Sequence, residues 1–431
     1  MNSTYYQRNK LLLQLIGLLG AFSLAGCGNH PEFVENRLLL KRLEIELGEE
    51  LSSTERSDVQ QAITELFGSS DQPALVDGVE VVSLDYLKQS AGRVYSDEQD
   101  THFGLYRKHC IRCHGTSGDG RGPAARLLSP YPRDFRFGKF KFKTTPQGSK
   151  PTKEDLVKIL RSGIPGTSMP SFALLRDEDI DALVDYVIYL SVRGESERSM
   201  LFQVAHTLDY ARGDRLIDFE LKSKQSKEFE QQLKKLQESV QQVYSSWKLS
   251  PTEQPVLPSS IPVLGASTID ASNQTALTDS IVRGQQLFQN SIASCSKCHA
   301  ADGSGQGAPK DYDAWTKDWT TSINVTPDDK AAMKPLLKAG GLKPESMKPR
   351  DLRKGVFRGG SAPQDIFARI VNGIEGTSMP AAALQKNVPD GMTSDQIWDL
   401  VNFVLSLSQQ PDGGSENATS APTADVQGGT Q

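Results

Sequence analysis

Two five-residue stretches carry the chemistry most plainly: Cys110-Ile111-Arg112-Cys113-His114 and Cys295-Ser296-Lys297-Cys298-His299. Two thiols at this spacing can reach the two vinyl groups on one edge of a porphyrin while the next histidine rises beneath the iron. Each stretch therefore reads as a c-type haem attachment site. A single Cys-x-x-Cys could instead be a redox dithiol or half of a zinc site. Two copies, each followed directly by histidine and together using four of the five cysteines, favour covalent haem in both places.

Haem iron takes a second axial group, and a thioether raises its potential relative to a pair of histidines. Met169 and Met379 stand in identical Gly-Thr-Ser-Met-Pro contexts, 55 and 80 residues after His114 and His299. Pro170 and Pro380 restrict the chain just after the sulfur, and Gly166 and Gly376 let each loop turn over a flat macrocycle. The expected iron ligands are His114 with Met169 and His299 with Met379. His30, His102, His109 and His206 read as surface or hydrogen-bonding residues, with His102 the substitute if Met169 did not serve. Met333, Met347 and Met392 have no counterparts in the first half.

The elements that must position these residues come in duplicate. Residues 101–194 and 279–408 each contain, in order, Cys-x-x-Cys-His, Pro-Arg-Asp-(Phe/Leu)-Arg, Gly-Thr-Ser-Met-Pro and an amphipathic helix, which marks an internal repeat. The final helices carry apolar stripes, Ile180, Leu183, Val184, Val187 and Ile188 in one, Ile397, Leu400, Val401, Val404 and Leu405 in the other. Residues 103–106 and 281–288 begin helices that run into the cysteines. Gly104 and Gly284 lower local propensity there and admit another backbone.

Between Arg133 and Lys153 stand seven basic residues and one acid, Asp134. Arg133, Arg136 and their counterparts Arg350 and Arg353 are candidate partners for haem propionates. The lysines could steer an acidic redox partner or simply form a solvated face.

Outside the repeats, residues 31–68 show helical periodicity for two short helices. Residues 219–247 carry a heptad seam of Phe229, Leu233, Leu236, Val240, Val243 and Trp247, which needs residues 200–216 or another subunit as partner. A Pro/Ser-rich stretch reads as a tether and residues 410–431 as a disordered tail. The expected divisions are a leader at 1–26, an N-terminal helical segment at 27–100, a first unit at 101–194, a helical or coiled-coil insert at 195–249, a linker at 250–278, a second unit at 279–408 and a tail at 409–431. Residues 307–348, with Trp315 and Trp319, enlarge the second unit and could shield a cofactor edge or dock a partner.

The 431 residues, 37% of them hydrophobic, suffice for two separate cores. A net charge of -5 argues against a dedicated nucleic-acid binder. The apolar run 11–25 is short for a bilayer span, and Leu24-Ala25-Gly26-Cys27 has the form of a lipoprotein box, with Cys27 the lipid-bearing first mature residue. That arrangement places the protein in a bacterial cell envelope, on the periplasmic side, anchored to a membrane.

Taken together, the motifs resemble the class I c-type cytochrome family. The resemblance implies an all-α fold of two such helical domains, joined by the helical insert and the Pro/Ser-rich tether, each enclosing one covalent haem c. It also implies single-electron transfer between respiratory redox proteins, with a membrane quinol-oxidising or terminal oxidase-type complex, or another redox protein, as partner. Two alternatives are a haem-bearing docking subunit of such a complex and a dihaem peroxidase-like enzyme, which would need an open sixth iron position.

Overall fold

In the computed structural model, which describes residues 32–224, 226–248, 257–258, 260–265, 269–270, 273–309, 311–385 and 391–409, the longest helix is Asp177–His206. Cys27, His30 and the C-terminal tail lie outside the described residues. Three acids, Asp177, Glu178 and Asp179, open this helix, where the macrodipole favours negative charge. Twenty of its 30 residues are buried, so the single stripe expected from sequence is covered on every side.

The helices around it explain that burial. Arg37–Leu47 and Ser53–Phe67, the latter opened by a reciprocal capping box between Ser52 and Glu55, pack on it as two short N-terminal helices. Leu84–Ser90 and Lys153–Ser162 cover further faces. The 177–206 helix also runs straight through the expected boundary at Gly194. A side chain there would collide with Arg136, whose Cγ lies 2.5 Å from the ideal Cβ position, so the glycine serves packing and ends nothing.

The heptad seam finds its partner within the chain. Phe229, Leu236, Val240, Tyr244 and Trp247 of helix Lys227–Lys248 are buried in the same hydrophobic cluster as Leu39, Phe67, Leu105 and Tyr189. This helix is thus a layer of the first unit, packed on the 177–206 helix and on Ser53–Phe67, in place of the expected coiled coil. The seam needed an apolar surface, and the first core supplied one.

In the second unit, helices Gln274–Gln289 and Ser394–Leu407 cross closely. Gly284 sits at the crossing against the backbone of Asp399, and Ser280 and Arg283 both donate to the Asp399 carboxylate, at 2.6 Å and 2.8–2.9 Å. The expected tether is shorter than its composition suggested, because the helix begins at Gln274 and the preceding Ile261 and Val263 are buried in the second core. Asn402 fastens that segment by accepting from Leu264 N and donating to Pro262 O.

The enlargement of the second unit is folded onto the first. Strand Asp311–Tyr312 pairs antiparallel with Ser346–Met347, and between them Trp319, Val325, Met333 and Leu336 cluster with Leu38. Asp318 accepts from Arg42 at 2.8 Å and from Arg198 at 3.1 Å. The stretch packs on its own chain's first unit through these contacts, and Trp315 and Trp319 also line a cavity shared with that unit. Among the described residues no helix is long and apolar enough to cross a membrane.

Candidate functional site

Both Cys-x-x-Cys-His motifs occupy one helical turn, Ile111–His114 and Ser296–His299, each starting at a cysteine and leaving at the histidine. Their four thiols are free of disulfides. Burial pushes Cys110 up to about 12 and Cys295 up to about 11, so these are neutral thiols at neutral pH, unlike the thiolate of a redox dithiol.

Each histidine is oriented by its other ring nitrogen. His114 Nδ1 lies 3.1 Å from Arg133 O, and His299 Nδ1 lies 3.3 Å from Arg350 O. With Nδ1–H donating to a carbonyl, the tautomer is set and Nε2 presents a lone pair suited to a metal. Burial lowers both imidazoles, His114 to about 4, which keeps them in the neutral, ligating form. The His114 ring also stacks on Phe135 at 4.6 Å.

The glycine run after each histidine, Gly118, Gly120 and Gly122 or Gly303, Gly305 and Gly307, was not singled out from sequence, yet it builds this geometry. Gly120 N and Gly305 N donate to the carbonyls of His114 and His299, and Gly122 N and Gly307 N to those of Cys113 and Cys298. A Cβ at Gly120 would come within 2.6 Å of Pro132 O, and one at Gly305 within 2.5 Å of Pro349 O. Only glycine lets the Pro-Arg-Asp strand lie close enough for its arginine carbonyl to reach the imidazole. The signal was available, since the three glycines fall four, six and eight positions after histidine in both units.

The methionine loops superpose bond for bond. Thr167 Oγ1 donates to Ile164 O at 2.8 Å and accepts from Met169 N at 3.1 Å, and Ile164 N donates to Met169 O at 3.2 Å. Thr377 makes the same set with Ile374 and Met379, at 2.8, 3.1 and 3.2 Å. Gly166 and Gly376 take φ of +69° and +70°, which the turn requires. His102, the substitute ligand, is held by Asp179 Oδ2 at 2.8 Å, and Met333 is buried in the Leu38 cluster.

Both sets open on a single cavity of about 1570 Å³, lined by Cys110, His114 and Met169 and by Cys295, His299 and Met379. Pockets for drug-sized ligands measure roughly 300–1,000 Å³, so this space exceeds one such site.

The arginines divide in a way sequence did not reveal. Arg133 and Arg350 line the cavity. Arg136 is committed to Asp134, with Nε to Oδ1 at 3.0 Å and Nη2 to Oδ2 at 2.8 Å, and Arg353 is committed to Asp351 and Asp302. In both units the aspartate two positions earlier captures the arginine side chain and caps its backbone N–H. Neither guanidinium is free for the anion role expected of it. Arg136 still lines the cavity, as do Lys141 and Arg358, and no carboxylate lies within ion-pair distance of Lys141 or Arg358 among the described residues.

The basic segment is likewise no open steering face. Lys143 is buried and donates to Pro146 O and Ser149 O, Lys150 pairs with Glu195, and Lys153 pairs with Asp185. The segment lies against the second unit. Arg369 donates to Lys141 O and Lys143 O, Asn372 to Thr144 O, and Gln147 to Met379 O at 3.2 Å. Lys139 and Lys153 remain exposed.

Comparison with known proteins follows the same division of the chain. Residues 97–187 match the family model described as cytochrome c oxidase, cbb3-type, subunit III, and residues 281–408 match the family model for cytochrome c. No curated protein matches the chain. Among solved structures it is similar to a reducing HAO-like protein complex of Kuenenia stuttgartiensis, with 22% identity over 73% of this chain and 99% of that chain, and a TM-score of 0.42. The chain therefore carries two cytochrome c-related helical domains, separated by a helical insert and consistent with a c-type cytochrome with an electron-transfer role.

Proposed function

We propose that the protein is a dihaem c-type cytochrome that moves single electrons between respiratory redox proteins. Cys110 and Cys113 would hold one haem and Cys295 and Cys298 the other, with His114 and Met169, and His299 and Met379, as axial ligands. The observation that carries this reading is the duplicated constellation: two neutral imidazoles with Nδ1 tied to a carbonyl, two free thiol pairs and two matching methionine loops around one cavity. Bound haem would supply the one-electron redox change. The chain's own residues place it, exclude water and set its charge environment.

The domain plan that fits this reading is a first unit thickened by its flanking helical segments and a second unit bearing the clasp. Cys27 would carry lipid and hold the protein at the periplasmic side of a membrane. The family matched by the first domain is that of an oxidase subunit, which supports a respiratory complex as partner. Sulfur available to each iron disfavours a peroxidase-like enzyme, which needs an open position. The test is haem quantitation with reduced-minus-oxidised spectra on the mature chain and on Met169→Ala and Met379→Ala. Each variant should keep both covalent haems and lose one thioether signature. Persistence of both signatures in either variant removes that methionine as a ligand.

A further inference from the structure

The wall between the two candidate sites is made by both units, and two of its buried donors, Trp315 Nε1 and Arg358 Nε, have no acceptor among the described residues. Lys141 reaches only Met347 Sδ at 3.7 Å and Arg350 only Val356 O at 3.4 Å. Trp315, carried by the second unit, is 8% exposed, and its Nε1–H is buried without a hydrogen-bond partner. The indole ring packs on the methionine loop of its own unit, where a Cβ on Gly376 would fall 2.5 Å from Cη2. On the other side it meets the first unit: the Arg133 guanidinium stacks on it at 3.6 Å, Lys141 Nζ lies 5.2 Å from the ring centroid, and Phe137 meets it edge-on.

Charge makes the same point. Arg133 and Lys141 from the first unit, with Arg350 and Arg358 from the second, line the shared cavity, and none has a carboxylate at ion-pair distance among the described residues. Arg358 Nε is a second buried donor without a partner. Asp313, the acid that most offsets burial at Arg133, already caps Thr316 N at 2.8 Å. Three guanidiniums, with a lysine that burial and Arg133 push down to about 7, lie beside the cavity with no carboxylate at ion-pair distance, so anions from whatever fills it would complete them. A haem carries two propionates, so two haems bring four carboxylates.

We propose that Arg133 and Trp315 form one carboxylate site spanning the unit boundary, which brings the propionate edges of the two haems together and makes the chain an internal two-centre relay. This inference rests on the dihaem reading. The step is a single electron leaving the reduced centre and reducing the oxidised one, with no bond made or broken and no proton moved. Residues serving a shared site influence both centres at once, whereas residues serving one unit influence only that unit.

The experiment uses the mature full-length protein after its absorption spectrum has shown two haems, so absence of haem would defeat the earlier reading and not this one. Potentiometric titration of the wild type, Trp315→Phe and Arg133→Met reads both centres. Loss of a donor or cation beside a carboxylate favours the oxidised state, so each variant should lower both reduction equilibrium constants by up to about tenfold, about 59 mV for one electron. Independently of any variant's folding, reducing the wild type with less than one electron per chain by a light pulse should give redistribution between centres at a rate unchanged by tenfold dilution. A shift confined to one centre would overturn the shared site. A redistribution rate proportional to protein concentration would overturn the internal relay.

Discussion

Gly284→Ala sets intrinsic preference against packing, and the two predict opposite signs. In a free helix, alanine in place of glycine stabilises by about 1 kcal/mol. At position 284 the new Cβ would fall on the carbonyl oxygen of Asp399, 2.6 Å from its carbonyl carbon and 2.8 Å from Phe403 Cβ. The first two are backbone atoms, and the Asp399 side chain is pinned by Ser280 and Arg283, so relief requires moving the whole Ser394–Leu407 helix. Overpacking of this kind costs about 1–3 kcal/mol, and the rigid obstacle places it near the upper end. The net result should be a loss of about 1–2 kcal/mol. Urea unfolding followed by far-ultraviolet ellipticity and visible absorption measures it. Val282→Ala, on the exposed side of the same helix, should be neutral or slightly stabilising. Because the 274–289 helix leads the chain into Cys295, Gly284→Ala should also lower haem attachment at the second site. Stabilisation by Gly284→Ala would refute the crossing as the reason for this glycine.

Thr167→Val and Thr377→Val remove a hydroxyl that bridges each methionine loop, at a cost of about 1 kcal/mol each. Each should leave haem attachment intact while the thioether absorption of its own unit disappears at lower urea than in wild type. Asp134→Asn strands the buried Arg136 without its counter-charge and should cost about 3–5 kcal/mol in thermal or urea unfolding. Burial alone would raise the Asp134 carboxyl, but the charge and hydrogen bonds of Arg136, with Arg121, hold it below its ordinary range. A lowered folded-state value means that its stabilisation is complete above the unfolded value near ~4 and is lost as pH falls further. Stability measured below about pH 4 should therefore fall less steeply in Asp134→Asn than in wild type.

Legibility in the sequence followed the range of the interactions. The Cys-x-x-Cys-His turns, the methionine loops and the terminal helices are local patterns, and their duplication made each copy support the other. Arg136 and Arg353 looked like anion partners because a motif shows residue type and hides geometry. The aspartate two positions earlier takes each of them through a short turn. Charged runs usually read as exposed, and Lys139 and Lys153 are, but Lys141, Lys143 and Lys150 are drawn in because this segment lies between two units whose mutual placement no local period encodes. The heptad seam announced an apolar face correctly without saying that its partner was the first core. In the sequence Trp315 belongs to an enlargement of the second unit, and its place against Arg133 depends on contact across the unit boundary.

The central claim is that each thiol pair, with its adjacent imidazole, grips an iron porphyrin. Mass spectrometry of the mature protein from cells competent in haem attachment, with peptide mapping across Cys110–His114 and Cys295–His299, tests it most directly. Two haem adducts per chain, one on each peptide, are the predicted result. Four alkylatable thiols and no covalent porphyrin would contradict it.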